Sequence, residues 1–155
     1  MPESQADPAR IASARPEMTA ALMARTGLDE AMLADLVDRF YAKVRADALL
    51  GPIFAAHVAD WGPHLERMAA FWSSVALMTG RYHGTPVPAH ARLPISPAHF
   101  ERWLELFRET ARSTCLPQGA AHLIDRAERI ATSLLMAVED AAAGPPRLRP
   151  TIAGR

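Results

Sequence analysis

The sequence predicts an all-α protein that folds as one domain. Its 155 residues are too few for several independently folding units, and 50% apolar against 22% charged residues is typical of a globular chain. Apolar residues recur every three or four positions in four long segments, and no segment alternates apolar and polar residues as a half-buried strand would. We therefore expect four principal helices in antiparallel pairs.

Helix signals appear in order from residue 16. Pro16 and Gly27 predict the start and the end of a short first helix. Asp29 is a typical N-cap for the second helix, which we expect to end where glycine and proline occupy positions 51 and 52. A short connector carrying Ile53 and Phe54 is expected next. The apolar stripe of the second helix comprises Met32, Leu33, Leu36, Val37, Phe40, Tyr41 and Val44.

The later helices carry similar signals. Asp60 is expected to cap one helix, and Ser96 followed by Pro97 is expected to begin another. Between them, residues 79–88 contain paired glycines and prolines that predict a loop, and residues 89–93 allow only a short helical segment. A break at residues 117–119 introduces the last helix, which we expect to end at Gly144.

Charge and cysteine content exclude several classes of function. Seventeen basic and seventeen acidic residues give no net charge, so neither nucleic acid nor an anionic membrane surface is expected as a partner. The single cysteine excludes an internal disulfide, a cysteine-rich zinc site and an iron–sulfur cluster. The longest charge-free apolar stretch, between Arg67 and Arg81, is shorter than the about 20 residues that span a bilayer. The polar N-terminus lacks a secretory signal, so a cytoplasmic location is expected.

Histidines and aromatic residues remain as candidates for chemistry. His64 shares the apolar face of its helix, where it is either a satisfied core histidine or a ligand. His90 lies on a short segment between prolines, which either exposes it or holds it in the orientation that a metal–imidazole bond requires. The remaining histidines have polar neighbours, and solvated imidazoles are expected at His57, His83, His99 and His122.

Two aromatic side chains add to this set. Tyr41 and Trp103 lie on amphipathic helices, where most such residues only extend their polar atoms to the edge of the core. Two aromatic-lined helices facing each other across a flat cavity, with a phenol and two imidazoles, are nevertheless the parts of a haem pocket. The residue pattern alone leaves both interpretations open.

Seven short blocks, occurring in order, carry a family resemblance. They read RFYAKVR at 39–45, LGPIF at 50–54, WGPH at 61–64, FW at 71–72, YHG at 82–84 followed by Pro86, HARLP at 90–94, and HFERWLELF at 99–107. In their order and spacing they resemble the group III truncated haemoglobins, a bacterial branch of the globin superfamily. The resemblance covers about residues 29–138.

This resemblance implies a globin-like two-over-two helical sandwich that binds one non-covalent haem b. By position, His90 resembles the proximal iron ligand, and the expected ligand-binding residues of the distal side are Tyr41, His64, Met68 and Trp103. Phe54 is expected to pack on the haem edge. The other residues expected to contact the cofactor are Phe40, Trp72, Leu93 and Phe107. The globin domain is expected to span residues 29–143, between a partly disordered or helical extension at 1–28 and a disordered tail at 144–155.

Three functions are compatible with these features. The first is reversible binding of O2, CO, NO and related small ligands at the haem iron. The second is a haem-dependent redox enzyme that acts on nitric oxide, nitrite or peroxide and receives electrons from an unidentified reductase. The third is a haem-free helical interaction module, because amphipathic stripes alone do not require a cofactor.

Overall fold

The computed structural model of the protein describes residues 15–84 and 93–143. Within these ranges the chain forms six helices and no strand: α1 Pro16–Thr26, α2 Glu30–Ala46, α3 Gly51–His57, α4 Trp61–Leu77, α5 Pro97–Thr114 and α6 Pro117–Ala143. The predicted all-α class is confirmed. None of these helices combines the length and the apolar character that crossing a bilayer requires.

Two pairs of long helices form the two layers of the fold. Helix α2 packs on α4, and α5 packs on α6. The layers meet where α2 contacts α5 and where α4 contacts α6, while the short α3 packs on α2. This is the predicted two-over-two sandwich, and it places the apolar faces of α2, α4 and α5 against one another.

An aromatic stack occupies the centre of the core. Phe107 of α5 lies between two indoles, with ring centroids 4.7 Å from Trp72 and 5.4 Å from Trp103, both in stacked geometry. Phe40 of α2 meets Phe107 edge-on at 5.3 Å. Phe40, Trp72 and Phe107 are at most 1% exposed. The Phe107 ring therefore joins α5 to α2 and α4, which belong to the other layer.

Replacing Phe107 by alanine is expected to lower the free energy of unfolding by about 3–5 kcal/mol, because the change removes a buried ring and leaves a cavity between two indoles. Urea denaturation measures this loss. Met136→Ala is the matched control, since Met136 is 61% exposed on α6 and its loss should change stability by less than about 0.5 kcal/mol. A loss below about 1 kcal/mol for Phe107→Ala would show that the stack is not a central support.

The predicted helix starts are confirmed by their caps. The Asp29 carboxylate accepts a hydrogen bond from the backbone N–H of Met32 at 2.8 Å, and the Asp60 carboxylate accepts one from Gly62 at 3.2 Å. At the start of α5, the backbone N–H of Ser96 donates to Nδ1 of His99 at 2.9 Å, completing a capping box. These side chains satisfy N–H groups that a helix leaves without partners in its first turn.

Two predicted boundaries are wrong for the same physical reason, that proline is well suited to the first turn of a helix. Helix α2 ends earlier than predicted, at Ala46, and the expected connector with Ile53 and Phe54 is the helix α3, with Pro52 in its first turn. Helix α6 begins at Pro117 rather than after a break at residues 117–119. In both places the proline lies in the first turn of a helix, where the sequence pattern predicts a break.

Asp47 forms the turn between α2 and α3. Its carboxylate accepts hydrogen bonds from the backbone N–H groups of Leu49 and Leu50, at 3.1 and 3.0 Å. It also pairs with Arg102 of α5, at 2.7 Å from Nε. The Arg102 hydrogen bond and these backbone donors hold the pKa of the Asp47 carboxyl below its usual value. The side chain thereby fixes the corner from which α3 and Phe54 begin.

Asp47→Asn is expected to lower the free energy of unfolding by about 1–2 kcal/mol at neutral pH, the value of charged hydrogen bonds to a partly exposed partner. Because the folded-state pKa is lowered, this stabilisation is complete above the unfolded pKa near about 4. It is lost as the pH falls through the lowered folded-state pKa, so the two proteins should converge in stability once the pH lies below that value. Urea denaturation at several pH values tests this.

Asp125→Asn is the control for the Asp47 experiment. Asp125 pairs with Arg129 four residues later, and both side chains are more than half exposed. Its loss should therefore have almost no effect on stability. A difference between wild type and Asp47→Asn that stays constant from neutral to acid pH would contradict the role of the charge.

A polar network ties the end of α4 to the start of α2. The fully buried Ser73 hydroxyl donates to the Glu30 carboxylate at 2.6 Å and shares a hydrogen bond with Thr79 at 2.6 Å. Arg81 pairs with the second oxygen of Glu30, and the backbone N–H of Tyr82 donates to the Ser74 hydroxyl at 2.8 Å. Residues 79–82, the first part of the predicted loop, are therefore held on the helical framework.

The N-terminal helix α1 packs on this framework. The Thr19 hydroxyl donates to the carbonyl of Leu77 at 2.7 Å, and Leu22 and Leu28 are buried in the core. A Cβ at Gly119 would lie 2.7 Å from the carbonyl oxygen of Thr26, so glycine permits α1 and α6 to approach closely. The domain boundary at residue 29 stays a prediction, and the tail from 144 lies outside the described residues.

Candidate functional site

Tyr41 and His64 form the polar centre of the candidate site. Tyr41 lies on α2 and is 5% exposed, and His64 lies half-buried in the first turns of α4. Their rings meet edge-on with centroids 5.2 Å apart. Burial raises the pKa of the Tyr41 phenol above its usual value, so the hydroxyl stays protonated and able to donate a hydrogen bond.

Aromatic side chains from three helices surround this pair. Phe40 contacts Tyr41 at 5.0 Å between centroids, and Phe54 of α3 contacts it at 5.8 Å. Trp61, the first residue of α4, lies 5.9 Å from Tyr41 and 5.4 Å from His64 and stacks on Phe54 at 6.3 Å. The Tyr41–His64 pair is therefore enclosed by rings that exclude water from one side of it.

The other predicted site residues differ in how closely the structure places them to the Tyr41–His64 pair. Trp103 of α5 is half-buried and joins the group through Phe40, whose ring meets it edge-on at 5.2 Å. Met68 lies one turn after His64 and packs half-buried against the core. Leu93 is half-buried at the start of the second described range, and its predicted contact with a cofactor stays a prediction. His90, the predicted iron ligand, lies outside the described residues.

Phe40, Trp72 and Phe107 lie in the core, and their predicted contact with a cofactor stays a prediction. Each is at most 1% exposed and is packed by the protein's own rings. Seven half-buried apolar side chains of α4 and α5 pack against the core that contains them. These side chains are Trp61, Leu65, Met68, Phe71, Val75, Trp103 and Leu104.

Sequence reasoning missed two residues of the site, Trp61 and Arg45. Trp61 lies three positions before His64 on the same helical face, yet it is not among the predicted site residues. Arg45 follows Tyr41 by four positions on α2, and its guanidinium lies 4.4 Å from the centroid of the Trp61 ring. The sequence shows the spacing of Trp61 from His64 and of Arg45 from Tyr41, but it does not show that Arg45 contacts Trp61 across two helices.

The expectation that four histidines are solvated is correct for two of them. His57 and His83 are exposed. His99 instead completes the cap of α5, and the ring of His122 on α6 hydrogen-bonds through Nε2 to the carbonyl of Ala76 at 2.9 Å. Within residues 15–84 and 93–143, no three side chains of histidine, cysteine or acidic type converge to hold a metal ion.

A family match defines the class of protein. Residues 22–138 match the sequence model of the bacterial-like globin family, and they make up most of the chain. The chain therefore belongs to this family. Membership implies a haem cofactor, in agreement with an all-helical fold that encloses a phenol and an imidazole among aromatic rings.

Two similarities narrow the class to one group of globins. The group 3 truncated hemoglobin ctb of Campylobacter jejuni is 34% identical over 110 residues, which are 68% of this chain and 87% of that protein. The crystal structure of group III truncated hemoglobin from Campylobacter jejuni matches with a TM-score of 0.66 and 33% identity, over 72% of this chain and 91% of that one. The resemblance to group III truncated haemoglobins is confirmed.

Proposed function

We propose that the protein binds O2 and other small diatomic ligands, including CO and NO, at the iron of a haem b. In this proposal His90 is the proximal ligand, and Tyr41, His64 and Trp103 are the polar residues of the distal side. The observation that carries the proposal is the contact between a buried, protonated phenol and an imidazole within an aromatic enclosure. Such a pair offers hydrogen-bond donors in a site of low polarity.

The side chains around the Tyr41–His64 pair fit a haem. Apolar and aromatic side chains that the protein leaves half-buried on α4 and α5 offer the flat, apolar surface that a porphyrin needs, with Trp61 and Met68 flanking His64 on α4. Phe54 on α3 offers a further ring at the edge. His90 follows the last described residue of the first range, Gly84, by six positions.

Haem iron, when bound, supplies a coordination position for a diatomic ligand. The protein's own contribution is the placement of donors beside that position. The Tyr41 hydroxyl is held by its buried ring and donates to a ligand that carries partial negative charge, and each charge-assisted bond stabilises such a ligand by roughly 1–3 kcal/mol. The indole N–H of Trp103 and the imidazole of His64 offer further donors, while the surrounding rings keep competing water out.

A redox activity is the second proposal, and the close contact of Tyr41 with His64 favours it. Two side chains that can carry protons lie side by side, and such an arrangement can deliver a proton to an oxygen atom leaving nitrite or peroxide. This activity would require electrons from a reductase. The fit of the chain to the globin family makes the haem-free interaction module the weakest of the three functions.

Absorption spectroscopy tests the haem proposal. The purified protein, reconstituted with haem if necessary, is expected to show a Soret band that shifts when CO is added to the reduced form. The spectrum of the reduced, ligand-free form distinguishes five-coordinate iron from six-coordinate iron in which His64 binds. Stopped-flow O2 dissociation, beside steady-state turnover with peroxide and nitric oxide, separates ligand binding from redox catalysis. A colourless protein that takes up no haem would contradict both proposals.

A further inference from the structure

We propose that Trp61, held in place by Arg45, covers His64 and sets the rate at which small ligands reach the Tyr41–His64 pair. This inference rests on the proposed function and adds to it two residues that sequence reasoning did not place in the site. It stands on the order in which these side chains lie between solvent and the buried phenol.

The four side chains form a graded series from outside to inside. Arg45 is exposed, Trp61 and His64 are half-buried, and Tyr41 is buried. Each member contacts the next: the Arg45 guanidinium is 4.4 Å from the Trp61 ring centroid, Trp61 is 5.4 Å from His64, and His64 is 5.2 Å from Tyr41. The Nε2 atom of His64 is shielded from solvent although the residue is only half-buried, and the Trp61 ring is one of the groups packed against the imidazole.

Trp61 is fixed at three points. Its backbone opens α4 directly after the Asp60 cap, its ring stacks on Phe54, and Arg45 lies against the ring. A guanidinium over an indole is the strongest common type of cation–π contact. Among the residues that the structure describes, Arg45 forms no ion pair with a carboxylate that would compete with its contact to the indole.

The location at a helix start explains how Trp61 can act as a cover. The first residue of a helix has fewer backbone hydrogen bonds to restrain it than an interior one, so its side chain depends on its contacts for position. Trp61 contacts His64 ring to ring, with the centroids 5.4 Å apart, and so acts on the site through the imidazole. It is therefore a positioning residue, and Arg45 sets how firmly it is held.

Flash photolysis of the CO complex is the first test. Trp61→Ala is expected to raise the bimolecular CO association rate about tenfold, and Arg45→Gln about two- to fivefold, because the cover is removed or loosened. Trp61→Phe should lie between wild type and Trp61→Ala, since it keeps a ring on Phe54. CO dissociation should change far less than association. Arg39→Gln is the matched control, because Arg39 is an exposed arginine of the same helix that pairs with Asp35.

Chemical labelling of His64 is the second test and requires no haem chemistry. Diethyl pyrocarbonate should modify His64 faster in Trp61→Ala and Arg45→Gln than in wild type, measured by mass spectrometry and normalised to the exposed His83. Circular dichroism verifies that each variant is folded, and Arg45→Gln serves if Trp61→Ala is not. Unchanged labelling and unchanged association rates would overturn the inference. A wild-type protein without CO binding would contradict the proposed function, while the labelling would still decide whether Trp61 covers His64.

Discussion

Tyr41→Phe is expected to accelerate O2 dissociation about 5- to 100-fold while changing CO dissociation by less than about twofold. The substitution removes one hydroxyl and leaves the ring that packs on Phe40, Phe54 and His64. Coordinated O2 carries more negative charge than CO, so it loses more when a donor is removed. Stopped-flow ligand replacement measures both rates on the same preparation.

Tyr82→Phe is the matched control for this experiment. Tyr82 is half-buried and its ring meets Phe71 edge-on at 5.1 Å, so the same atom is removed outside the Tyr41–His64 pair. Its O2 dissociation rate should equal that of wild type. If Tyr41→Phe changed O2 and CO dissociation equally, the effect would be one of packing or access, and the assignment of Tyr41 as a polar donor would be wrong.

The second large effect is expected at His90. His90→Gly should lose the haem or change its axial bonding, visible as a lost or displaced Soret band, because a neutral imidazole is the proposed proximal ligand. Added imidazole should restore much of the wild-type spectrum by occupying the space that the side chain leaves. His83→Gly is the control, since His83 is an exposed histidine of the same part of the sequence. An unchanged spectrum in His90→Gly, with or without imidazole, would refute this ligand.

Much of the fold followed from local physics that a sequence displays directly. The caps of α2, α4 and α5 were predicted because Asp29, Asp60 and Ser96 precede apolar stripes with a helical period, and such caps act within three or four residues. The stripes themselves predicted which faces meet. Tyr41 and His64 each lie on the face that its helix buries, but the residue pattern left their role open, and only the family resemblance predicted that both belong to one site.

The errors arose where one residue type serves two opposite purposes. Proline ends one helix as readily as it begins the next, so the sequence pattern gives the wrong sense for both Pro52 and Pro117. Asp47 was not singled out, because its value depends on Arg102, which lies 55 positions further along the chain. The role of Arg45 over Trp61 also depends on a pairing across helices that only the folded arrangement reveals.

The network around Glu30 has a mechanical consequence for the site. Glu30 and Tyr41 belong to the same helix, α2, and Glu30 holds Ser73 and Arg81 at the opposite end of α4 from His64. The chain that continues toward position 90 is therefore bound, at Arg81, to the same helix that carries Tyr41. Helix α2 therefore sets the distance between Tyr41 and the anchored residue Arg81, after which the chain continues toward position 90.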